Sequence, residues 1–257
     1  MGFFTAFTFL TILPVPFKGK DSGDISKSLA WFPLAGLVIG LLLAGIYWLL
    51  NLVLPSGIAV GLVLAASAAV SGGMHLDGLA DTCDGLAGNR SIDERLSIMR
   101  DSRVGALAVI GVSLVILLKY VSLNSLPSPL ILTAIVLMPV LSRWAMVYSV
   151  TAFPYVRPAG MGFSFKAGAS WAKFAASSLA AATATLVITF FSGLTYFYLV
   201  SPALILGVWL VTFVCSVYLK RKFSGLTGDM YGAVSEVIEI SVPLIILALL
   251  PVTAGAG

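Results

Sequence analysis

The chain has 257 residues, 59% of them hydrophobic and only 10% charged, a composition far outside that of a soluble globular domain of this length. Its net charge is +4, but the basic residues stand singly or in short groups beside apolar runs, which excludes a nucleic-acid partner and suits the positive-inside rule of a polytopic membrane protein. Cys83 and Cys215 lie far apart and read as packing residues, neither a disulfide framework nor a zinc pair.

Residues 1–14 are apolar and rich in Phe, yet they lack a basic n-region and a small-residue cleavage site, which argues against a removable signal peptide. They are too short to span and predict an interfacial or re-entrant helix ending at Pro14 and Pro16. A loop with Lys18, Lys20 and Lys27 follows and is placed inside. Apolar runs then recur at roughly 30–53, 57–74, 104–120, 130–152, 174–193, 197–219 and 235–252, each near the length a bilayer requires. The expected fold is all-α, a polytopic transmembrane helical bundle of about seven spans plus the short N-terminal helix, forming one integral membrane domain over 1–257. Gly36, Gly40 and Gly45 predict close helix packing along the first span.

With the first loop inside, alternation also places 75–103, 153–173 and 220–234 inside, and these hold ten of the arginines and lysines. Lys119 is the exception, read as snorkelling toward the outer side. The acidic residues gather at the same inner edge. Chemistry is therefore expected at the cytoplasmic face of the cell (inner) membrane, among lipid, with a homo-oligomer left open.

The motif GGMHLDGLADTCDGLAG, residues 72–88, holds three of the carboxylates and the single histidine. In a helix, Asp77, Asp81 and Asp84 fall at about 0°, 40° and −20°, taking ~100° per residue, so they share one face. No Lys or Arg interleaves them as on a solvated acidic face, so they point to a cation. His75 falls roughly 160° from Asp77 on an unbroken helix, and a bend at Gly72–Gly73 or Gly78 would be needed to bring it round as a catalytic base. In IMRDSRVG, 98–105, Asp101 reads either as a helix cap or as a metal ligand, while Arg100 and Arg103 suit phosphate oxygens. In SGLTGDMYG, 224–232, the glycines, Gly228 among them, predict a loop whose backbone can approach an anion. Asp229 and Glu236 follow it as further metal donors. Arg143 lies within the fourth span and reads either as a functional cation or as an intramembrane partner of a carboxylate.

Oxygen-rich donors without a Cys or multi-His cluster select a hard cation, Mg²⁺, or Mn²⁺ as a substitute. Carboxylates holding Mg²⁺ beside arginines form a phosphoryl-transfer site. The residues alone thus predict a Mg²⁺-dependent enzyme acting on a phosphorylated or diphosphate substrate.

The chain resembles the cobalamin synthase, or adenosylcobinamide-GDP ribazoletransferase, family in TILPVP at 11–16, FPLAGLVIG at 32–40, the 72–88 motif and IMRDSRVG at 98–105. The same order continues in Ser142-Arg143, in Tyr155-Val-Arg157 with Gly160, and in LTGDMYGA at 226–233 with Glu236. The resemblance implies a transferase joining adenosylcobinamide-GDP to α-ribazole, or its 5′-phosphate, to give adenosylcobalamin, or its 5′-phosphate, with release of GMP. Carried over by position, it implies Asp77, Asp81, Asp84 and Asp101 as metal ligands, Asp229 and Glu236 next, and Arg100, Arg103, Arg143 and Arg157 as diphosphate or guanylyl contacts. Cys83 stands where Ala is common, and Ser224 where Gly often begins the last segment. Asp81-Thr-Cys-Asp84-Gly85 is also similar to the opening of the CDP-alcohol phosphotransferase motif, but the Ala-Arg pair and the later acidic repeat are missing. A cation or metabolite transporter is the alternative of a different class.

Overall fold

Long apolar runs that must satisfy their own backbone in lipid become helices, and the computed structural model, which describes residues 2–14 and 27–254, contains no strand among them. Helix α1, Gly2–Leu10, precedes a 3-10 turn, Leu29–Trp31, and α2, Phe32–Asn51. Then come α3, Ser56–Val70; α4, Met74–Leu86; α5, Ile92–Ile98; α6, Ala106–Asn124; and α7, Ser128–Ala152. The short α8, Met161–Gly168, leads to α9, Trp171–Phe191; α10, Phe197–Phe223; and α11, Gly228–Ala254. Six helices have the length and apolarity to cross a membrane, and a seventh crossing is available if the bent pair α3 and α4 is counted as one span. Pro16, Lys18 and Lys20 lie outside the described residues.

Helix α7 is the axis of the bundle, buried from Leu130 through Val150 except at the half-buried Leu132. A Cβ on Gly40 would stand 2.5 Å from the Val136 carbonyl oxygen, and one on Gly36 would collide with that of Pro139, so these glycines let α2 lie against the α7 backbone. Gly45 faces open space and takes no part in the seam. Large apolar side chains stay exposed on the outer faces, among them Trp48, Leu117, Phe191 and Leu206, as lipid contact requires.

Two departures from the sequence reading matter for function. The last helix starts at Gly228 rather than near 235, because Thr227 accepts the Met230 N–H and starts the helix in place of a loop. And α3 and α4 meet at 86°. Gly72 and Gly73 have φ of +61° and +71°, a left-handed pair that a residue with a Cβ would adopt only under strain. The bend precedes His75, so α4 runs unbroken through Gly78.

Candidate active site

The face of α4 that carries the acidic triad is built against two other helix starts. Asp84 accepts the Gly105 N–H at 2.6 Å and the Ala108 N–H at 2.9 Å, so it closes the first turn of α6. A side chain on Gly105 would collide with that carboxylate. On the other side, a Cβ on Gly78 would lie 2.5 Å from the Asp229 carbonyl oxygen, so Gly78 admits the first turn of α11. Asp229 arrives beside the triad by this route, and Asp77, Asp229, Arg157 and Asp84 are the charges close enough to act on Asp81.

Arg157 is delivered by a short backbone bridge. Val156 donates to Leu226 O at 3.0 Å, and Leu226 donates to Pro154 O at 2.8 Å, tying the segment after α7 to the segment before α11. Arg157 Nη1 then lies 2.9 Å from Asp229 Oδ2. From below, buried Arg95 donates to the carbonyls of Gly85, Gly88 and Arg90 and lies over the Phe223 ring, fixing α5 to the end of α4.

Three cavities meet these groups. A front cavity of about 340 Å³ is lined by Asp77, Asp81, Asp84, Arg100, Asp101 and Arg103. An aromatic cavity of about 250 Å³ takes Asp77, Arg157, Gly228, Asp229 and Tyr231 into its wall. An embedded cavity of about 570 Å³ lies over His75, Lys119, Arg143, Glu236 and Glu239. Asp77 belongs to the first two, and His75 to the last two.

The sequence-derived candidates separate accordingly. Asp77, exposed, and Asp81, half-buried, make no side-chain hydrogen bond or ion pair with a described residue. Asp101 is held by Arg103, accepting its backbone N–H at 3.0 Å and its guanidinium at 2.5 Å. Those bonds from Arg103 bring the Asp101 carboxyl down to about 2. Asp101 is not the cap of α6, which begins at Ala106.

Glu236, Arg143 and His75 come together in a second group, inside the bundle. Lys119 does not snorkel outward: it is buried, 2.6 Å from both Glu236 Oε2 and Glu239 Oε2. Arg143 pairs with the other oxygen of Glu239, so its intramembrane role is the one realised. Glu236 is thus balanced by Lys119 and stands apart from the Asp group. The acidic residues are not all at one edge, because two of them enter the bundle on α11. Arg143 Nη2 lies 3.3 Å from His75 Nδ1. An arginine only donates, so Nδ1 must accept and the ring proton sits on Nε2, which has no partner. The basic nitrogen of His75 is therefore engaged by Arg143. Lys119 and Glu239 were the residues undervalued in sequence; their signal was charge within apolar runs.

The donor set suits a hard cation in chemistry, with two carboxylates free of any cation and two more beside them. Among the described residues no three Asp, Glu, His or Cys side chains already form a metal-holding group, so the fit is one of donor type and not of a preformed cage.

The cobalamin-5-phosphate synthase family model matches residues 2–247. The chain belongs to this family. Among its relatives, the adenosylcobinamide-GDP ribazoletransferase of Roseiflexus sp. (strain RS-1) is 39% identical over 91% of this chain and 85% of its own. Those of Desulforamulus reducens, 35% identical over 94% of each chain, and Geotalea daltonii, 38% over 93% of each, carry the same name. No solved structure matches the chain. Family membership makes the protein a transferase, as the motifs implied, and sets the transporter alternative aside. Ser224 sits in the left-handed region at φ 61°, where Gly is at ease, and Cys83 Sγ rests against Gly111. Both cysteines are free thiols.

Proposed function

We propose that the protein joins adenosylcobinamide-GDP to α-ribazole, or its 5′-phosphate, with release of GMP, at the cytoplasmic face of the cell membrane. The supporting observation is the place of Asp77, on the wall shared by one cavity flanked by Arg100 and Arg103 and another flanked by Arg157. A diphosphate needs positive charge on both sides of the bond that breaks, and this arrangement offers it. The arginines and lysines of 90–103, 157–173 and 220–222 belong to the segments joining the spans at this end, which supports the cytoplasmic orientation.

Asp77 and Asp81 would hold Mg²⁺, with Asp84 and Asp229 beside them. When bound, Mg²⁺ supplies neutralisation of the diphosphate and of the departing GMP. Arg100 orients the phosphates from the front cavity and Arg157 takes the guanylyl side, while Arg103 remains tied to Asp101 until an anion competes for it. The acceptor hydroxyl attacks the phosphorus bonded to cobinamide. Its new O–P bond forms as the bond from that phosphorus to the bridging oxygen breaks, and the bridging oxygen leaves with GMP. The hydroxyl proton passes to a carboxylate of the Asp group, since the basic nitrogen of His75 is occupied. Asp84, already accepting two backbone N–H groups, keeps α6 in register with that group.

The test is turnover of purified protein in liposomes, read as GMP release from adenosylcobinamide-GDP plus α-ribazole. Release that stops with EDTA, returns with Mg²⁺ and is absent in Asp81→Ala is expected. Release indifferent to EDTA, or undiminished in Asp81→Ala, would sink the reading.

A further inference from the structure

Two residues in the wall of the aromatic cavity, Arg157 and Tyr231, carry buried polar atoms that no described protein group satisfies. Arg157 Nη1 is fixed by Asp229, but Nε and Nη2, which share one edge of the guanidinium, are buried without a partner. Tyr231, only 3% exposed, likewise leaves its hydroxyl unpartnered. The surrounding wall is aromatic, with Phe9 against Phe165 at 4.7 Å and Tyr155 stacked on Tyr231 at 6.3 Å. Buried donors facing apolar rings ask for a flat ligand with acceptors on its rim.

Resting on the transfer reading above, we propose that this cavity is the guanine site, with the Nε–Nη2 edge of Arg157 reading O6 and N7 of the base. Guanine presents two acceptors side by side, and an arginine fork matches both; adenine puts an amino donor where the second acceptor is needed. At about 250 Å³ the cavity suits a purine and is too small for a corrinoid. Asp77 closes the cavity on the side of the front cavity. A base seated here therefore extends its ribose and phosphates toward the carboxylates and leaves the front cavity for the cobinamide phosphate and the acceptor. Asp229 acts as the positioning residue, holding the guanidinium so that its free edge faces inward. A phosphate in this cavity would gain nothing from the rings and would not distinguish one base from another.

Equilibrium binding of GMP, IMP and AMP to the full-length protein in nanodiscs with Mg²⁺ tests the assignment. IMP keeps both O6 and N7 and should bind within about threefold of GMP, whereas AMP should be weaker by about tenfold or more. Arg157→Lys retains a cation for Asp229 but loses the fork, so the GMP preference should shrink to within about threefold. Wild-type protein that binds AMP as well as GMP overturns the proposal without recourse to any variant. So does Arg157→Lys protein that elutes as a folded species and keeps its guanine preference. The readout needs neither acceptor nor turnover. Guanine preference without GMP release would leave the site standing and overturn the transfer reading, and GMP release without base preference would do the reverse.

Discussion

Replacing Lys119 by Met removes one of the two cations that balance Glu236 and Glu239 inside the bundle. Lys119 reaches both carboxylates at 2.6 Å, and all of these side chains are almost fully buried. Without it, Arg143 alone faces two carboxylates. Removing one member of a buried pair costs about 3–5 kcal/mol, a large share of the roughly 5–15 kcal/mol that holds a domain folded. At about 2–4 °C per kcal/mol for 150–250 residues, the melting temperature in detergent should fall by roughly 6–20 °C. Lys119→Met with Glu236→Gln restores the balance of charge and should recover at least half of that loss. The assay is thermal unfolding followed by tryptophan fluorescence and by recovery of the folded peak on size exclusion. A drop of less than about 2 °C in Lys119→Met, or no recovery in the double variant, would show that the four charges are not interdependent.

Asp84→Ala should lower stability by about 1–2 kcal/mol through the lost cap on α6. Asp81→Ala, which removes a carboxylate from among like charges, should leave stability within about 0.5 kcal/mol; paired unfolding curves separate the two. Gly78→Ala should reduce GMP release at least about a hundredfold, because the added methyl meets the Asp229 carbonyl and moves the start of α11, where misplacement by about an ångström has that effect. The Asp101 carboxyl is depressed to about 2, so its link to Arg103 is complete above the unfolded value and is lost only as the pH falls through about 2. The acid limb of the activity profile between about pH 4 and 7 should therefore be the same in Asp101→Asn as in wild type, and a shifted limb would contradict this pairing.

Helices and membrane character were legible because apolar runs long enough to cross a bilayer have few other solutions. The shared face of Asp77, Asp81 and Asp84 was equally legible, since helical periodicity alone determines it, and the front cavity receives all three. What could not be read was partnership across the bundle. The 86° turn at Gly72–Gly73 depends on backbone angles that a glycine permits without requiring. Asp84 as a cap on α6 and Asp229 as the partner of Arg157 depend on which helix starts come together. The beginning of α11 was missed because 228–234 mixes glycine with apolar residues, and Thr227 acts through a local hydrogen bond that hydropathy does not register. Lys119, Arg143, Glu236 and Glu239 were visible only as misplaced charges, and the pairing among α6, α7 and α11 explains them together.

The assignment of the Asp group as a metal-dependent transfer site is tested most directly by titrating Mn²⁺ into metal-free protein and following its electron paramagnetic resonance signal, wild type against Asp81→Ala, with GMP release measured on the same samples. Saturable Mn²⁺ binding that restores release in wild type, and loss of both in folded Asp81→Ala protein, is the predicted result. Undiminished Mn²⁺ binding and release in Asp81→Ala would contradict it.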